Sequence, residues 1–368
     1  MAGEKLVLLA AGGTGGHLFP AEALSYALTR RGCAIELVTD DRVEGLVRSF
    51  PARQVHALPA ATPSGKNILA QGAAALTLGL GVLKARELLR RLSPAAVVGF
   101  GGYPTVPPLV AASMLRVPAI LHEQNAVLGR ANRFLASRVD VIATGFAKIG
   151  NAAGLLVGKI RHVGNPVRPM VIDAAKAPYE TPGEDGELRL LVFGGSQGAR
   201  VMSDIVPSAL SRLQPQERAR LRVVQQAREE DVPRTAAAYA QAGIVAELAP
   251  FFRDLPARMA RSHLVISRAG ASTIAEIAVI GRPSILVPLP GSLDQDQAAN
   301  ADILASTEAA MALPQPQFTP ENLAAIIAPM LAAPARLAEM AESARKAAMP
   351  DAAERLADLV SKTARLDD

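Results

Sequence analysis

The sequence predicts an α/β protein built from two doubly wound parallel-sheet domains. Three observations lead there. Short apolar runs alternate with longer helical patterns from end to end, the alternation restarts midway, and glycine turns follow the ends of several runs. At 368 residues the chain is long for one core, which agrees with two domains.

The first half begins with KLVLLAA, which breaks into glycines, so it reads as a strand and not as a signal peptide. AIELV, AAVVGF, PAILH and VDVIAT follow as buried parallel strands with helical segments between several of them. A stretch rich in Pro, Gly and acidic residues, 174–187, interrupts the pattern. Beyond it LRLLVF, LRVVQQ, IVAEL, HLVIS and SILVPL repeat the design. The hinge is expected near Gly164–Pro169, with domains at 1–165 and 166–345. The last segment, 346–368, reads as a helix able to pack on either domain, the N-terminal one included. In such sheets ligands bind beyond the carboxyl ends of the strands, so the cleft between the two sheets is the expected site.

Composition narrows the chemistry. Half the residues are apolar, a fifth are charged, and the formal charge is +5. That suits an anionic small molecule or a membrane surface and is too diffuse to indicate DNA. Four tyrosines, nine phenylalanines and no tryptophan argue against a stacking platform for single-stranded nucleic acid, so no nucleic-acid partner is expected. The single cysteine, Cys33, excludes a disulfide framework and a Cys-based zinc site within the chain, and a reducing cytoplasm is the default. His56, His122, His162 and His263 show no metal-ligand spacing, so no metal is expected. The apolar stretch 67–83, bracketed by Lys66 and Lys84, is short for a membrane span and contains Asn67, Gln71 and Thr77. It reads as a buried or interfacial helix.

Three glycine turns follow strands: GGTGGH at 12–17, GFGGYPT at 99–105 and GGSQGAR at 194–200. Glycines let the backbone turn tightly, and the next helix aims its N–H groups at the same spot, a geometry that suits phosphate. Neither the dinucleotide fingerprint nor a P-loop is matched. His17, in the first turn alone, is either a helix-starting residue or a general base that accepts a proton from a sugar hydroxyl. Glu22 and Glu123 are the candidate orienting or basic groups near it by pattern.

These turns, with LHEQNAVLGRANRFLA (121–136), GNPVR (164–168), SRAGASTIAEI (267–277) and DQDQAANA (294–301), occur in an order that closely resembles the MurG family over almost the whole chain. The family transfers N-acetylglucosamine from UDP-GlcNAc to undecaprenyl-diphosphoryl-N-acetylmuramoyl-pentapeptide (lipid I), forming lipid II for peptidoglycan. The resemblance implies the GT-B fold, an N-terminal acceptor domain and a C-terminal nucleotide-sugar domain, with inversion at the anomeric carbon and no cofactor or metal. It implies His17 as the catalytic base and Glu123 as its rival. Around the donor it implies Thr14, Gly15, Gly16, Asn125, Arg168, Ser196 and Phe252. The helix start Ala271, Ser272, Thr273, Ile274 and Ala275 belongs to the same set, with Glu276 on the ribose and Gln297 and Asn300 on the sugar. Around the acceptor it implies Gly12, Gly13, His17, Tyr103 and Thr105. Asp296 departs from the commoner His or Gln of the family, as Ser272 does from a Leu in some relatives.

Because the acceptor is a polyprenyl lipid, the resemblance also implies peripheral docking on the cytoplasmic face of the bacterial inner membrane. The 67–83 stretch would meet anionic phospholipid there, with Lys66, Lys84, Arg86, Arg90 and Arg91 beside it. Partners among cell-wall synthesis proteins are implied too. Three other readings stay open: a GT-B transferase using another UDP-sugar or lipid, a UDP-GlcNAc 2-epimerase, and a non-catalytic membrane scaffold.

Overall fold

The computed structural model describes residues 5–12, 14–40, 50–61, 68–152, 154–183, 185–195, 198–291 and 296–366. Gly13, Lys66, Asn67 and Ser196 lie outside the described residues. The chain divides into two compact units, Met1–Arg168 with Pro350–Asp368, and Pro169–Met349.

The first unit holds seven parallel strands: β1 (Leu6–Ala10), β2 (Ala34–Thr39), β3 (Gln54–Ala57), β4 (Ala96–Gly99), β5 (Ala119–Glu123), β6 (Val141–Thr144) and β7 (Ile160–His162). Their order is β3-β2-β1-β4-β5-β6-β7. Alternation along a strand separates two cores. On one face Val7 and Leu9 of β1 meet Leu18, Leu24 and Leu28 of helix α1 (Gly15–Arg30). On the other, Leu8 and Ala10 share a core with helices α2 (Ile68–Leu92), α3 (Val106–Leu115) and α4 (Arg130–Leu135), through Leu88, Leu109 and Leu135.

The second unit follows the same plan with six parallel strands: β8 (Leu188–Phe193), β9 (Leu221–Gln226), β10 (Val245–Ala249), β11 (Leu264–Ser267), β12 (Ser284–Leu286) and β13 (Ala310–Ala312), in the order β10-β9-β8-β11-β12-β13. Around it run α5 (Pro169–Ala175), α6 (Arg200–Leu210), α7 (Pro215–Arg220), α8 (Val232–Gln241), α9 (Leu255–Arg261), α10 (Ala271–Ile280), α11 (Asp296–Ala305), α12 (Pro320–Ala332) and α13 (Pro334–Ala347). The two doubly wound sheets bear out the fold class read from the sequence.

Two helices follow Ala333. α13 belongs to the second unit, whereas α14 (Ala352–Ala364) packs on α1 in the first. Leu356, Ala357 and Val360 of α14 enter the α1-side core. Arg31 adds ion pairs to Glu354 (2.8 Å) and Asp358 (2.7 Å), and Arg30 pairs with Glu354. These pairs are exposed, so apolar burial is the main attachment.

Three strands escape a search for apolar runs: β3 (QVHA), β7 (IRH) and β13 (AMA). All three are sheet edges. An edge strand pairs on one side only and is often short and polar, so it carries little hydrophobic signal.

Candidate active site

Strand order reverses between β1 and β4 in the first unit and between β8 and β11 in the second. At such a switch point the two outgoing loops part and leave a crevice. The turns leaving these strands are the glycine-bearing segments: 12–17 after β1, 99–105 after β4, 194–200 after β8 and 268–270 after β11.

In the first unit the two turns interlock. Gly12 is buried, and a Cβ there would lie 2.8 Å from Cγ of Pro104 in the opposite turn, so only glycine lets them meet. Gly101 and Gly102 have φ of +86° and +76°, left-handed backbone that favours glycine. Thr105, fully buried, donates its hydroxyl to the Gly102 carbonyl at 2.8 Å and closes the second turn, and Tyr103 stays half-buried beside it.

His17 sits in the first turn of α1, after the exposed N-cap Thr14, buried Gly15 and exposed Gly16. Its imidazole lies over the Gly101–Gly102 backbone, with ring atoms about van der Waals distance from where a Cβ would stand. Nδ1 is 3.0 Å from the Gly12 carbonyl oxygen and 3.4 Å from Thr14 Oγ1. A carbonyl only accepts, so in this contact the neutral ring carries its proton on Nδ1 and its lone pair on Nε2.

Glu123 ends β5 and is 1% exposed. Oε1 accepts from the Asn125 N–H (2.9 Å) and amide (3.3 Å). Oε2 accepts from the Gly129 N–H (3.0 Å) and the Asn132 amide (2.7 Å). Burial pushes its pKa up, and these four donors pull against that shift. Both oxygens are therefore occupied in ordering the loop 124–132. Asn125 is half-buried on that loop, while Asn132 is buried against Gly101. Next to this cluster His122 is a buried structural histidine, its Nε2 donating to the Gly164 carbonyl at 3.1 Å. Burial lowers its pKa to about 4 and keeps the ring neutral. Arg168 stacks on Phe19 of α1, its guanidinium carbon 3.8 Å from the ring centre. Glu22, also on α1, has its pKa raised by burial and drawn back by the Arg168 charge.

The second unit arranges its candidates around α10. Gly270 is the N-cap, and no side chain caps the helix, so the N–H groups of Ala271, Ser272 and Thr273 are the donors at its start. Ile274 is buried and Ala275 half-buried. Glu276 is 6% exposed, although a charge on a helix reads by default as solvated. Asn300 is fully buried and donates to the Ala269 carbonyl (3.2 Å), so it supports the turn into α10 from below. Gln297 Oε1 accepts from the Leu289 N–H (3.0 Å). Asp296 accepts from the Gln297 N–H (2.9 Å) at the start of α11. Phe252 is buried with Arg258 stacked on it at 4.3 Å, while Phe251 beside it is exposed.

Sequence reasoning passed over two supports. Arg268 is buried, donates to the Val287 and Pro288 carbonyls and to Gln315, and so braces the turn before α10. Asn132 holds Glu123. Its position nine residues after Glu123, at a helix start, was the available signal.

Comparison with known proteins agrees with this layout. Residues 7–144 match the glycosyltransferase family 28 N-terminal domain, and 189–356 match the family 28 C-terminal domain. A UDP-N-acetylglucosamine–N-acetylmuramyl-(pentapeptide) pyrophosphoryl-undecaprenol N-acetylglucosamine transferase of Methylobacterium sp. (strain 4-46) is 60% identical over 362 residues, covering 98% of this chain and 97% of its own. The transferase of the same name from Rhodopseudomonas palustris is 56% identical over 366 residues, covering 100% of each. The crystal structure of Acinetobacter baumannii MurG superposes with a TM-score of 0.78 at 30% identity, covering 98% of this chain and 99% of that one. A UDP-N-acetylglucosamine 2-epimerase gives 0.65 at 14% identity, covering 98% and 96%, which is a likeness of fold alone.

Proposed function

The chain belongs to glycosyltransferase family 28, in its MurG group, and from that premise we propose how its own residues carry the reaction. It is an inverting transferase that moves N-acetylglucosamine from UDP-GlcNAc to lipid I, forming lipid II; the full-length identity to the transferases supports this. The C4 hydroxyl of the muramoyl sugar is the nucleophile. His17 is the base: its Nδ1 donates to the Gly12 carbonyl, and that contact carries the assignment because it sets the neutral tautomer whose lone pair lies on Nε2. As the C4 oxygen bonds to the anomeric carbon, the bond to UDP breaks on the opposite side, and the α-linked donor becomes a β-linked product. Glu123 is a positioning residue, since all its lone-pair directions serve the 124–132 loop that presents Asn125.

On the donor side, the N-terminus of α10 meets the diphosphate and Glu276 accepts from the ribose hydroxyls. Gln297 turns its amide N–H group toward the sugar while its oxygen stays on Leu289. Ser196 touches the diphosphate, and Arg168 offsets the charge that develops as UDP leaves. On the acceptor side, Gly12, Thr14, Gly15, Gly16, Tyr103 and Thr105 form or brace the turns that receive the lipid diphosphate, and the family resemblance adds Gly13 to this set.

The first unit docks on the anionic inner membrane through α2. Leu76, Leu80 and Leu83 recur at helical spacing and are 68%, 51% and 61% exposed. Lys84, Arg90 and Arg91 extend the same helix as exposed cations. α3, packed on α2, adds exposed Met114, and α4, packed on α3, adds Phe134. Among the described residues no single helix is long and apolar enough to cross a membrane.

The test is product formation. Lipid I analogue with labelled UDP-GlcNAc should yield the β-linked disaccharide. Turnover only with an unrelated acceptor, or epimerisation of UDP-GlcNAc without one, would overturn the reading.

A further inference from the structure

We propose that Gln226 is a positioning residue for the nucleotide sugar, holding two turns of the second unit at a fixed separation; this rests on the donor reading above. β9 lies between β8 and β10, and Gln226 is its last residue. The parallel ladder ends at this level, with Val192 paired to Gln225 and Ala249 to Gln226. Beyond it the neighbours part. β8 runs into the glycine turn at Gly194, and β10 runs into the segment Pro250–Asp254 that carries Phe252.

The Gln226 side chain is buried and reaches both. Oε1 accepts from the Gly194 N–H at 3.3 Å, and Nε2 donates to the Pro250 carbonyl at 3.1 Å. One amide thus adds a bond on each side, on the β10 side next to the backbone bond from the Ala227 N–H to the Ala249 carbonyl (3.1 Å). Both ends are chemically constrained. A Cβ on Gly194 would lie 2.3 Å from the Ala199 nitrogen, so the turn cannot be rebuilt with another residue, and Pro250 has no N–H with which to tie itself to β9.

A neutral amide both donates and accepts, which this position requires. Glutamate in its place keeps the size and the bond from Gly194 but sets a carboxylate oxygen against the Pro250 carbonyl. Leucine removes both bonds, the one from the Gly194 N–H and the one to the Pro250 carbonyl. The turn at Gly194 leads into Ser196, which the family resemblance places on the diphosphate. The segment after Pro250 carries Phe252, whose backbone the same resemblance places against the uracil edge, so their spacing is felt as affinity for the intact nucleotide. The resemblance places the acceptor on neither.

Steady-state kinetics and UDP calorimetry on Gln226→Glu and Gln226→Leu test this, with thermal midpoints measured in parallel. KM for UDP-GlcNAc should rise about tenfold in the Glu variant and more in the Leu variant, with kcat within about twofold and KM for the lipid I analogue unchanged. UDP affinity should fall in step with the donor KM. An unchanged donor KM in a folded Glu variant would overturn the inference. So would a parallel change in both KM values together with the thermal midpoint, because that is general destabilisation. A wild-type protein that binds UDP but makes no disaccharide would refute the reading of the function, and the UDP titration alone would then decide on Gln226.

Discussion

The two units share a plan and differ in what they place at the switch point. Each has a parallel sheet whose order reverses beside a glycine turn, and each buries a carboxylate near that turn, Glu123 in one and Glu276 in the other. The first unit adds an imidazole, fixed through Nδ1, on the backbone of its second turn. The second unit offers a helix start with no side-chain cap. In the proposed reading one crevice moves a proton and the other holds an anion. The shared fold supplies the crevices, and a few side chains divide the work between them.

The sharpest way to break this comparison is to remove the imidazole. His17→Ala should lower kcat by about 10²–10⁴-fold, the usual range for a lost general base, when donor and acceptor are both saturating. Turnover within a few-fold of wild type would remove the distinction between the units.

Glu123→Ala should act through structure. It leaves the donors of Asn125, Gly129 and Asn132 without their acceptor, at a cost of about 2–4 kcal/mol in stability, with slower turnover from a loosened loop. Equilibrium denaturation together with kcat checks this. Full stability with lost turnover would point to Glu123 as a direct participant.

Acid sharpens the comparison differently, because each unit also buries a neutral histidine. His122 and His263 both have pKa values lowered to about 4 by burial, with the Arg189 charge adding to the shift at His263. Unfolding restores the ordinary value near 6.5, so between pH 6.5 and 4 the unfolded chain binds more protons and stability falls as pH falls. At His122 the loss reaches about 3 kcal/mol by pH 4. Glu123, with its pKa raised, works in the opposite sense. Denaturation midpoints of wild type and His122→Gln across this range measure the effect, and the variant should show a shallower pH slope.

The smallest effect belongs to the membrane surface. Leu76→Glu or Leu80→Glu should reduce sedimentation with anionic vesicles several-fold and leave turnover on a soluble acceptor unchanged. The equivalent change at an exposed apolar residue of the second unit, Val245→Glu, should do neither.

Much of this was legible in the sequence. The central strands announce themselves because they are buried on both faces, and the glycine turns because they follow those strands directly. Burial within tertiary structure is what single-sequence patterns lack. Glu276 has the spacing of a solvated helix residue and lies buried, and Phe251 and Phe252 look alike although only the second is buried. Asn300 reads from the sequence as a sugar contact, and the bond from its amide to the Ala269 carbonyl, thirty-one positions away in the chain, has no signal there. The four donors to Glu123 lie within nine residues of it, yet they converge only because the loop folds back on the strand end.

The central claim is that the first unit supplies the base and the second holds the nucleotide. Titration of UDP-GlcNAc into His17→Ala and Glu276→Ala, side by side, tests it most directly. His17→Ala should bind the donor as wild type does, and Glu276→Ala should bind it at least about tenfold more weakly. Equal loss of donor affinity in both proteins, or wild-type affinity in Glu276→Ala, would contradict it.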